Sequence, residues 1–178
     1  MDQTILACDD QGNFLEYIPR ITGHTGEGRR HLAITVLIHN SKGEVLLQKR
    51  KHKIFDNIWD FTASTHPLHT SDGDETLEQA TARALKDEYR IENVSFKVLG
   101  SFNYFTQIGE LCENEHDHLL IGEYNGQVKL NPRVAYEYKW VDKQQMLKDM
   151  EQNPQKYSSW AKEGLKVLKQ TGFFDLTS

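Results

Sequence analysis

Residues 31–39 (HLAITVLIH) form an almost continuous apolar run, and this run constrains the fold more than any other stretch. A run of this length and composition is typical of a buried β-strand. The turn sequence Asn40–Ser41–Lys42–Gly43 follows it, and Glu44–Arg50 (EVLLQKR) then resumes the apolar pattern. The chain therefore predicts a buried hairpin against which the remaining elements must pack.

The other patterns predict a mixture of strands and helices. Residues 3–7 and 14–18 flank a turn-rich stretch and predict an N-terminal hairpin. Further strands are expected at 59–67, 94–106, 113–124 and 134–141, and loops at 23–30 and 68–74. Helices are expected at 75–90 with Asp74 as N-cap, at 143–150, and from Asn153–Pro154 to about Gln170. This order favours an α+β or α/β sandwich.

Composition narrows the functional classes. A chain of 178 residues is long enough for one domain with a substantial core. Its net charge of −5 argues against broad nucleic-acid or anionic-membrane partners. We see no signal peptide and no apolar run near the roughly 18–20 residues of a membrane span. The two cysteines, Cys8 and Cys112, form no disulfide framework, so a reducing cytoplasm is the expected location.

The segment 59–67 (WDFTASTHP) combines aromatic residues with an unusual polar face. As one continuous strand, it would place alternate residues on opposite faces. Its predicted apolar face holds Phe61, Ala63 and Thr65, and its polar face holds Asp60, Thr62, Ser64 and His66. Pro67 would end the strand.

The predicted helix 75–90 carries a glutamate on its apolar side. At about 100° per residue, one stripe contains Leu77, Ala80, Thr81, Ala84 and Leu85, and Glu88 falls in its middle. A carboxylate in that position is costly unless it is paired or binds a metal. Two interpretations stay open: Glu88 reaches solvent or a lysine at the helix end, or it is a metal-binding carboxylate.

This helix resembles the signature of the Nudix superfamily, Gly-x5-Glu-x7-Arg-Glu-U-x-Glu-Glu-x-Gly-U, where U is aliphatic. Aligned on Arg83, the chain keeps Glu75, Arg83, Leu85, Glu88 and Ile91, and has Asp87 for a Glu. It departs from the signature at His69, Ala84 and Arg90. Ala84 stands where the family's hydrolases have a magnesium-binding Glu, which puts ordinary Nudix hydrolysis in doubt.

Histidines and glutamates elsewhere suggest a metal site. His24 and His31 flank a Gly-rich loop, His66 ends the segment 59–67, and Glu113 and Glu115 are two apart on one predicted strand. Such a pair shares a face. Three imidazoles and two carboxylates suit Mn²⁺, Zn²⁺ or Mg²⁺, and the nitrogens favour the transition metals. Lone histidines are more often surface or capping residues, so spacing alone leaves that alternative open.

Over nearly its whole length, the chain resembles the type 1 isopentenyl-diphosphate isomerases, a Nudix-fold family. The similar stretches are HTGEGRRHLAITVLIHNSKGEVLLQKR, IWDFTASTHP and ENE at 113–115, together with Tyr104 in FNYF and Trp160 in YSSW. The resemblance implies the Nudix fold, a mixed central sheet sandwiched between helices. It also implies that His24, His31, His66, Glu113 and Glu115 bind one divalent metal, and that Glu88 holds a second Mg²⁺ on the substrate diphosphate.

The same resemblance suggests which residues contact the substrate. Arg20, Arg50 and one of Lys51 or Lys53 match basic residues around the diphosphate, and Arg83 and Trp160 are further candidates. A diphosphate needs several donors at once, and arginine offers a bidentate fork. Alternatively, the stretch KRKHK is simply a solvated basic loop.

The match breaks at Ser64. The family places a catalytic Cys two residues before the metal-binding His, paired with the Glu that Glu115 matches. A serine hydroxyl is a poor proton shuttle without an adjacent base, and Cys112 is expected to point away from the site.

Three hypotheses follow for a monomer or homodimer acting on a small-molecule diphosphate. The first is an isomerase-like enzyme of isoprenoid diphosphates with Ser64, Glu115 and Tyr104 as catalytic residues. The second is a diphosphate hydrolase that uses Glu75, Asp87, Glu88 and metal-activated water. The third is a non-catalytic protein that binds metal and ligand.

Overall fold

A computed structural model describes residues 3–175. Its strands are β1 (Thr4–Cys8), β2 (Phe14–Pro19), β3 (His31–His39), β4 (Glu44–Arg50), β5 (Trp59–Asp60), β6 (Ala63–Thr65), β7 (His69–Thr70), β8 (Gly73–Asp74), β9 (Phe96–Ile108), β10 (Leu111–Glu123) and β11 (Ala135–Asp142). Its helices are α1 (Arg20–Gly23), α2 (Leu77–Tyr89), α3 (Lys143–Gln152) and α4 (Ser159–Gln170), with a 3₁₀ turn at Pro154–Lys156.

Strand β3 is the centre of a nine-stranded mixed sheet. It pairs in parallel with β10, from Glu115 opposite His31 to Glu123 opposite His39. It also pairs antiparallel with β1, β4 and β6. The long antiparallel hairpin β9–β10 and the pair β4–β11 extend the sheet, and β7–β8 form a separate small hairpin. The predicted buried hairpin is confirmed, with the expected bounds for β3 and β4.

Helices cover both faces of this sheet. Ile34, Val36 and Ile38 of β3 pack in one core cluster with the apolar face of α2. Leu37 of the same strand packs in a second cluster with residues of α3 and α4. Because alternate residues of a strand point to opposite faces, β3 is buried on both sides. The predicted α+β fold, a mixed sheet between helices, is confirmed.

The alternation in segment 59–67 had predicted one continuous strand, but the structure divides the segment into two short strands. β5 pairs with β4 (Asp60 opposite Gln48), whereas β6 pairs with β3 (Ser64 opposite Thr35). Thr62 holds the corner between them, because its hydroxyl donates to the carbonyl of Leu46 at 2.7 Å and accepts from the amide of Ile38 at 2.8 Å. The segment therefore crosses between two strands, and Thr62 is buried.

Two helix starts also differ from the prediction. Thr76, not Asp74, is the N-cap of α2 and forms a capping box with Gln79. Asp74 instead lies in β8, within the region expected to be loop, and pairs with His69. The last helix is interrupted after the 3₁₀ turn, because Ser158 starts α4 by accepting a hydrogen bond from the amide of Ala161. Among the helices of residues 3–175, none has the length and apolar character to cross a membrane.

Candidate metal and substrate site

Three imidazole rings meet at one end of the central sheet. His24 follows α1, His31 begins β3, and His66 follows β6. Their ring centroids are 4.7 Å apart for His24–His31, 4.9 Å for His31–His66 and 5.0 Å for His24–His66. Glu115 of β10 joins them because it lies opposite His31 in the parallel pair. One nitrogen of each ring and one oxygen of Glu115 all lie within 4.8 Å of one another.

The hydrogen bonds of two rings aim their free nitrogens at this point. Nδ1 of His31 lies 2.8 Å from the carbonyl of Arg29, and Nδ1 of His24 lies 3.1 Å from the carbonyl of Cys112. A carbonyl only accepts, so Nδ1 carries the proton and Nε2 keeps its lone pair. Both Nε2 atoms are buried without a hydrogen-bond partner. Such orphaned acceptors beside a carboxylate fit a divalent cation, which would satisfy them.

Glu115 is the centre of the polar contacts in this group. Its Oε1 lies 2.9 Å from Nε2 of His66 and 3.4 Å from Nε2 of His31, and its Oε2 accepts a hydrogen bond from the Tyr104 hydroxyl. Burial would raise the pKa of Glu115, but the contacts with His31 and His66 hold it well below the usual range. Burial keeps the pKa of Tyr104 well above 10. Glu115 is therefore a carboxylate, and Tyr104 is a neutral donor to it.

Glu113 lies beside the group and not within it. Its Oε2 is 2.9 Å from Nδ1 of His24, the nitrogen that also lies 3.1 Å from the carbonyl of Cys112. Burial and the neighbouring Glu115 raise the pKa of Glu113. The structure thus brings together four of the five predicted ligands. The fifth, Glu113, contacts the His24 ring.

A cavity of about 220 Å³ reaches the four-residue group through His66 and Glu115, which line it. Other predicted site residues that line it are Arg20, Arg50, Ser64, Glu88, Glu113, Tyr104 and Trp160. The Nε atoms of Arg20 and Arg50 are buried without partners, so both arginines keep a donor for an incoming anion. The Arg50 guanidinium also stacks 4.7 Å from the Trp160 ring.

Glu88 faces this cavity from α2. Burial raises its pKa to about 8, with Arg50 acting in the opposite direction. It forms no ion pair with a lysine among residues 3–175, and its carboxyl group is therefore available to the cavity. The metal-binding interpretation of Glu88 therefore stays a prediction.

Three predicted substrate contacts lie outside the cavity. The guanidinium of Arg83 donates to both oxygens of Glu75 and to the carbonyl of His66, and its contact with substrate stays a prediction. Lys51 donates to the carbonyl of Pro132 at 3.1 Å. Lys51 and Lys53 line a separate open depression, which also contains Arg20. Cys112 is buried against Gly23 and does not line the cavity, as its position in the strand had predicted.

Asp60 is the residue whose importance the sequence did not reveal. It is fully buried and accepts hydrogen bonds from five groups. These donors are Phe61 N (2.8 Å), Ser158 Oγ (2.7 Å), Trp160 Nε1 (2.9 Å), Arg50 Nη1 (3.2 Å) and Ser64 Oγ (3.4 Å). The available signal was an acidic residue between two aromatic ones, since a carboxylate is rarely buried without partners.

Comparison with known proteins gives a consistent result. Residues 29–161 match the family model of the NUDIX domain. The chain is 29% identical over 163 residues to isopentenyl-diphosphate Delta-isomerase 2 of Aromatoleum aromaticum. The matched region covers 90% of this chain and 83% of the relative. It is 28% identical over 175 residues to the isopentenyl-diphosphate Delta-isomerase of Serratia proteamaculans, covering 97% and 93%.

Solved structures agree with the fold. DR0079 from Deinococcus radiodurans superposes with a TM-score of 0.69 at 15% identity, covering 92% of this chain and 98% of that one. A MutT protein from Methanosarcina mazei superposes with a TM-score of 0.60 at 20% identity, covering 79% and 94%. At these identities the likeness concerns the fold alone.

Proposed function

The chain belongs to the NUDIX domain family, and from that premise we propose that it is a metal-dependent enzyme that moves the double bond of a small isoprenoid diphosphate. One observation carries the proposal. His66 and Glu115, two of the four residues that converge with His24 and His31, line the same small cavity as Tyr104 and Trp160. Curated relatives that are 28–29% identical over most of the chain are named as isopentenyl-diphosphate Delta-isomerases.

The basic wall of the cavity supports a diphosphate as the charged part of the substrate. Arg20 and Arg50 would donate to its oxygens through the guanidinium nitrogens that lack partners. Glu88 would hold the Mg²⁺ that accompanies the diphosphate, since its carboxyl group faces the same space. The cavity volume of about 220 Å³ suits a short hydrocarbon tail rather than a long one.

The candidate metal ligands and the aromatic residues near them support the chemistry on the double bond. His24, His31, His66 and Glu115 would hold a divalent ion, for which the nitrogen donors favour Mn²⁺ or Zn²⁺ over Mg²⁺. When bound, that ion would supply positive charge that fixes the orientation of Glu115. Tyr104 donates to Glu115, and the Trp160 ring, 6.0 Å from Tyr104, gives a cationic intermediate an aromatic neighbour. Ser64 lines the cavity where the resemblance places a thiol.

Hydrolysis of the diphosphate has less support. It would need several carboxylates of the α2 region to face the phosphates. Of the three that the sequence offered, only Glu88 lines the cavity. Glu75 is paired with Arg83, and Asp87 is exposed on the outside of α2.

The proposal extends to the whole chain, which we treat as one domain over 1–178. We expect it to act in the cytoplasm as a monomer or homodimer.

The test is an assay of the purified protein with isopentenyl diphosphate, with Mg²⁺ and with either Mn²⁺ or Zn²⁺ added. Proton NMR follows the allylic product, and a colorimetric assay follows released phosphate in the same sample. Allylic product without phosphate is the expected result. Phosphate release without allylic product would replace the proposal with hydrolysis, and binding without either product would make the protein non-catalytic.

A further inference from the structure

The environment of Asp60 has an asymmetry between its two carboxyl oxygens. Oδ1 accepts from Phe61 N and Ser158 Oγ, and neither of these residues lines the cavity. Oδ2 accepts from Arg50 Nη1, Trp160 Nε1 and Ser64 Oγ, all on residues that line the cavity. Asp60 itself does not line the cavity and is fully buried. Oδ2 is therefore separated from a bound substrate by one layer of side chains.

Only one group in that layer can receive a proton from Oδ2. A guanidinium and an indole N–H are donors without an acceptor atom. The hydroxyl of Ser64 both donates and accepts. A proton that leaves Oδ2 towards the cavity must therefore pass to Oγ of Ser64, which lies 3.4 Å away. Hydrogen bonds of catalytic groups are often long before substrate is bound, and this distance is compatible with such a transfer.

The surroundings of Asp60 also suit a group that changes its protonation state. Burial raises its pKa, whereas the charge of Arg50 and the hydrogen bonds from Ser158 and Trp160 stabilise the carboxylate. Both forms therefore have partners in the folded protein. A serine alone is a poor proton shuttle, and Asp60 supplies the neighbouring acid or base that a serine needs.

We propose that Asp60 and Ser64 form a two-residue proton relay that takes the place of the family's thiol, with Asp60 as the proton store and Ser64 as the group that contacts the substrate. This rests on the isomerisation proposed above. In the acid step, the Asp60 O–H bond breaks and its proton binds Ser64 Oγ. The original Ser64 proton leaves at the same time and forms a C–H bond with the electron pair of the alkene.

The products of that step are the Asp60 carboxylate and a tertiary carbocation. Loss of a proton from the adjacent methylene to the Glu115 carboxylate forms the new double bond. Glu115 then releases this proton to solvent, and a solvent proton returns to Asp60 through Ser64, so the cycle has no net gain or loss of protons. Arg50 and Trp160, which donate to Oδ2, stabilise the carboxylate in the interval.

The first test compares Asp60→Asn in two backgrounds, with Ser64 and with Ser64→Cys. A thiol carries its own exchangeable proton and makes the relay unnecessary. Asp60→Asn is therefore expected to lower kcat about 10²-fold or more with Ser64, and less than about 5-fold with Cys at position 64. Equal losses in both backgrounds would make Asp60 a purely structural residue and overturn the proposal. Ser158→Ala is the matched control, since it removes a hydrogen bond to Oδ1 and leaves the route from Oδ2 intact.

A proton inventory in H₂O–D₂O mixtures needs no change at Asp60 and serves if Asp60→Asn fails to fold. The relay predicts two protons in flight for the Ser64 protein and one for Ser64→Cys. A single proton in flight for both would overturn it.

A further measurement does not depend on isomerisation. The alkylation rate of the thiol in Ser64→Cys, followed against pH by peptide mass spectrometry with Mg²⁺ present, gives the thiol pKa. A carboxylic acid loses its proton before a thiol does, so Asp60 carries a negative charge over the pH range in which the thiol titrates. Asp60→Asn removes this like charge and is expected to lower the thiol pKa by about 1 unit or more. An unchanged thiol pKa would overturn the coupling of the two positions. A clear shift in a protein that does not isomerise would leave the coupling standing and refute the proposed reaction instead.

Discussion

Arg83 and Glu75 form a bidentate ion pair, with Nε to Oε1 and Nη2 to Oε2 both at 2.7 Å. Nη2 also donates to the carbonyl of His66 at 2.9 Å, and Glu75 accepts from the amide of Leu68 at 3.0 Å. The pair therefore fastens α2 to the segment that leaves β6. Two residues of the Nudix signature thus bind the backbone around His66, a candidate metal-binding histidine.

Removing this ion pair is expected to lower the stability of the folded protein. Arg83→Ala leaves Glu75 and the His66 carbonyl without their donor, and we expect the free energy of unfolding to fall by about 1–3 kcal/mol. Lys86→Ala is the control, since its pairing with Glu92 is exposed on the same helix. Urea denaturation compares the two variants, and equal stabilities would contradict the structural role of Arg83.

The candidate metal group predicts a position-specific loss of metal. His66→Ala removes one of the converging nitrogens and is expected to lower bound Mn²⁺ or Zn²⁺ well below that of the unchanged protein. His69→Ala, at an exposed histidine paired with Asp74, is the control and should keep full metal content. Elemental analysis after dialysis measures both, and chelator should lower the Tm of the control but hardly that of His66→Ala. Full metal occupancy in His66→Ala would refute the group.

Substitution of Glu113 tests whether this residue binds the metal directly or supports His24, which does. Because it contacts Nδ1 of His24 rather than the meeting point, Glu113→Gln is expected to weaken metal affinity about 10–100-fold while one metal still binds at saturation. Glu115→Gln, at a converging oxygen, should reduce the affinity further. Calorimetric titration with Mn²⁺ gives both values. Equal losses would return Glu113 to the set of direct ligands.

Two glycines in the loop between His24 and His31 allow the effect of backbone strain to be compared with the effect of steric crowding. Gly26 and Gly28 both have positive φ, +64° and +61°. A Cβ at Gly28 would lie 2.5 Å from Cys112 Sγ and from the Gly23 carbonyl oxygen, whereas a Cβ at Gly26 meets nothing within 4 Å. We expect Gly28→Ala to be less stable than Gly26→Ala by about 1–3 kcal/mol. Thermal unfolding of the two variants measures this difference, and equal values would argue against the close packing at Cys112.

Glu88 predicts a pH dependence of stability in the metal-free protein. Burial raises its pKa from 4.5 to about 8, so the folded state holds its proton more tightly than the unfolded chain does. The stability from this group is therefore complete below pH 4.5 and is lost as the pH rises through about 8. We expect Glu88→Gln to show a flatter decline in unfolding free energy over that range. Glu78→Gln, exposed on the same helix, should keep the original slope, and identical slopes for both variants would contradict the raised pKa of Glu88.

The sheet could be predicted from the sequence where the sequence itself sets the pattern. Strands β3 and β4 have the expected bounds because their apolar runs and the turn between them are encoded by neighbouring residues. The same approach gave a wrong prediction for segment 59–67. The division of this segment into β5 and β6 depends on pairing with two different strands, β4 and β3. The hydroxyl of Thr62 bonds backbone groups of Leu46 and Ile38, which lie 16 and 24 residues away.

The sequence by itself determined the central hairpin and, through ordered motifs, the candidate residues His24, His31, His66 and Glu115. Tertiary structure alone decided how the site is arranged. It placed the Glu113 carboxylate against Nδ1 of His24 and paired Arg83 with Glu75. It also surrounded Asp60 with donors up to 100 residues away. Local patterns report which face a side chain occupies, but hydrogen-bond partners of a buried charge are set by the three-dimensional meeting of distant elements.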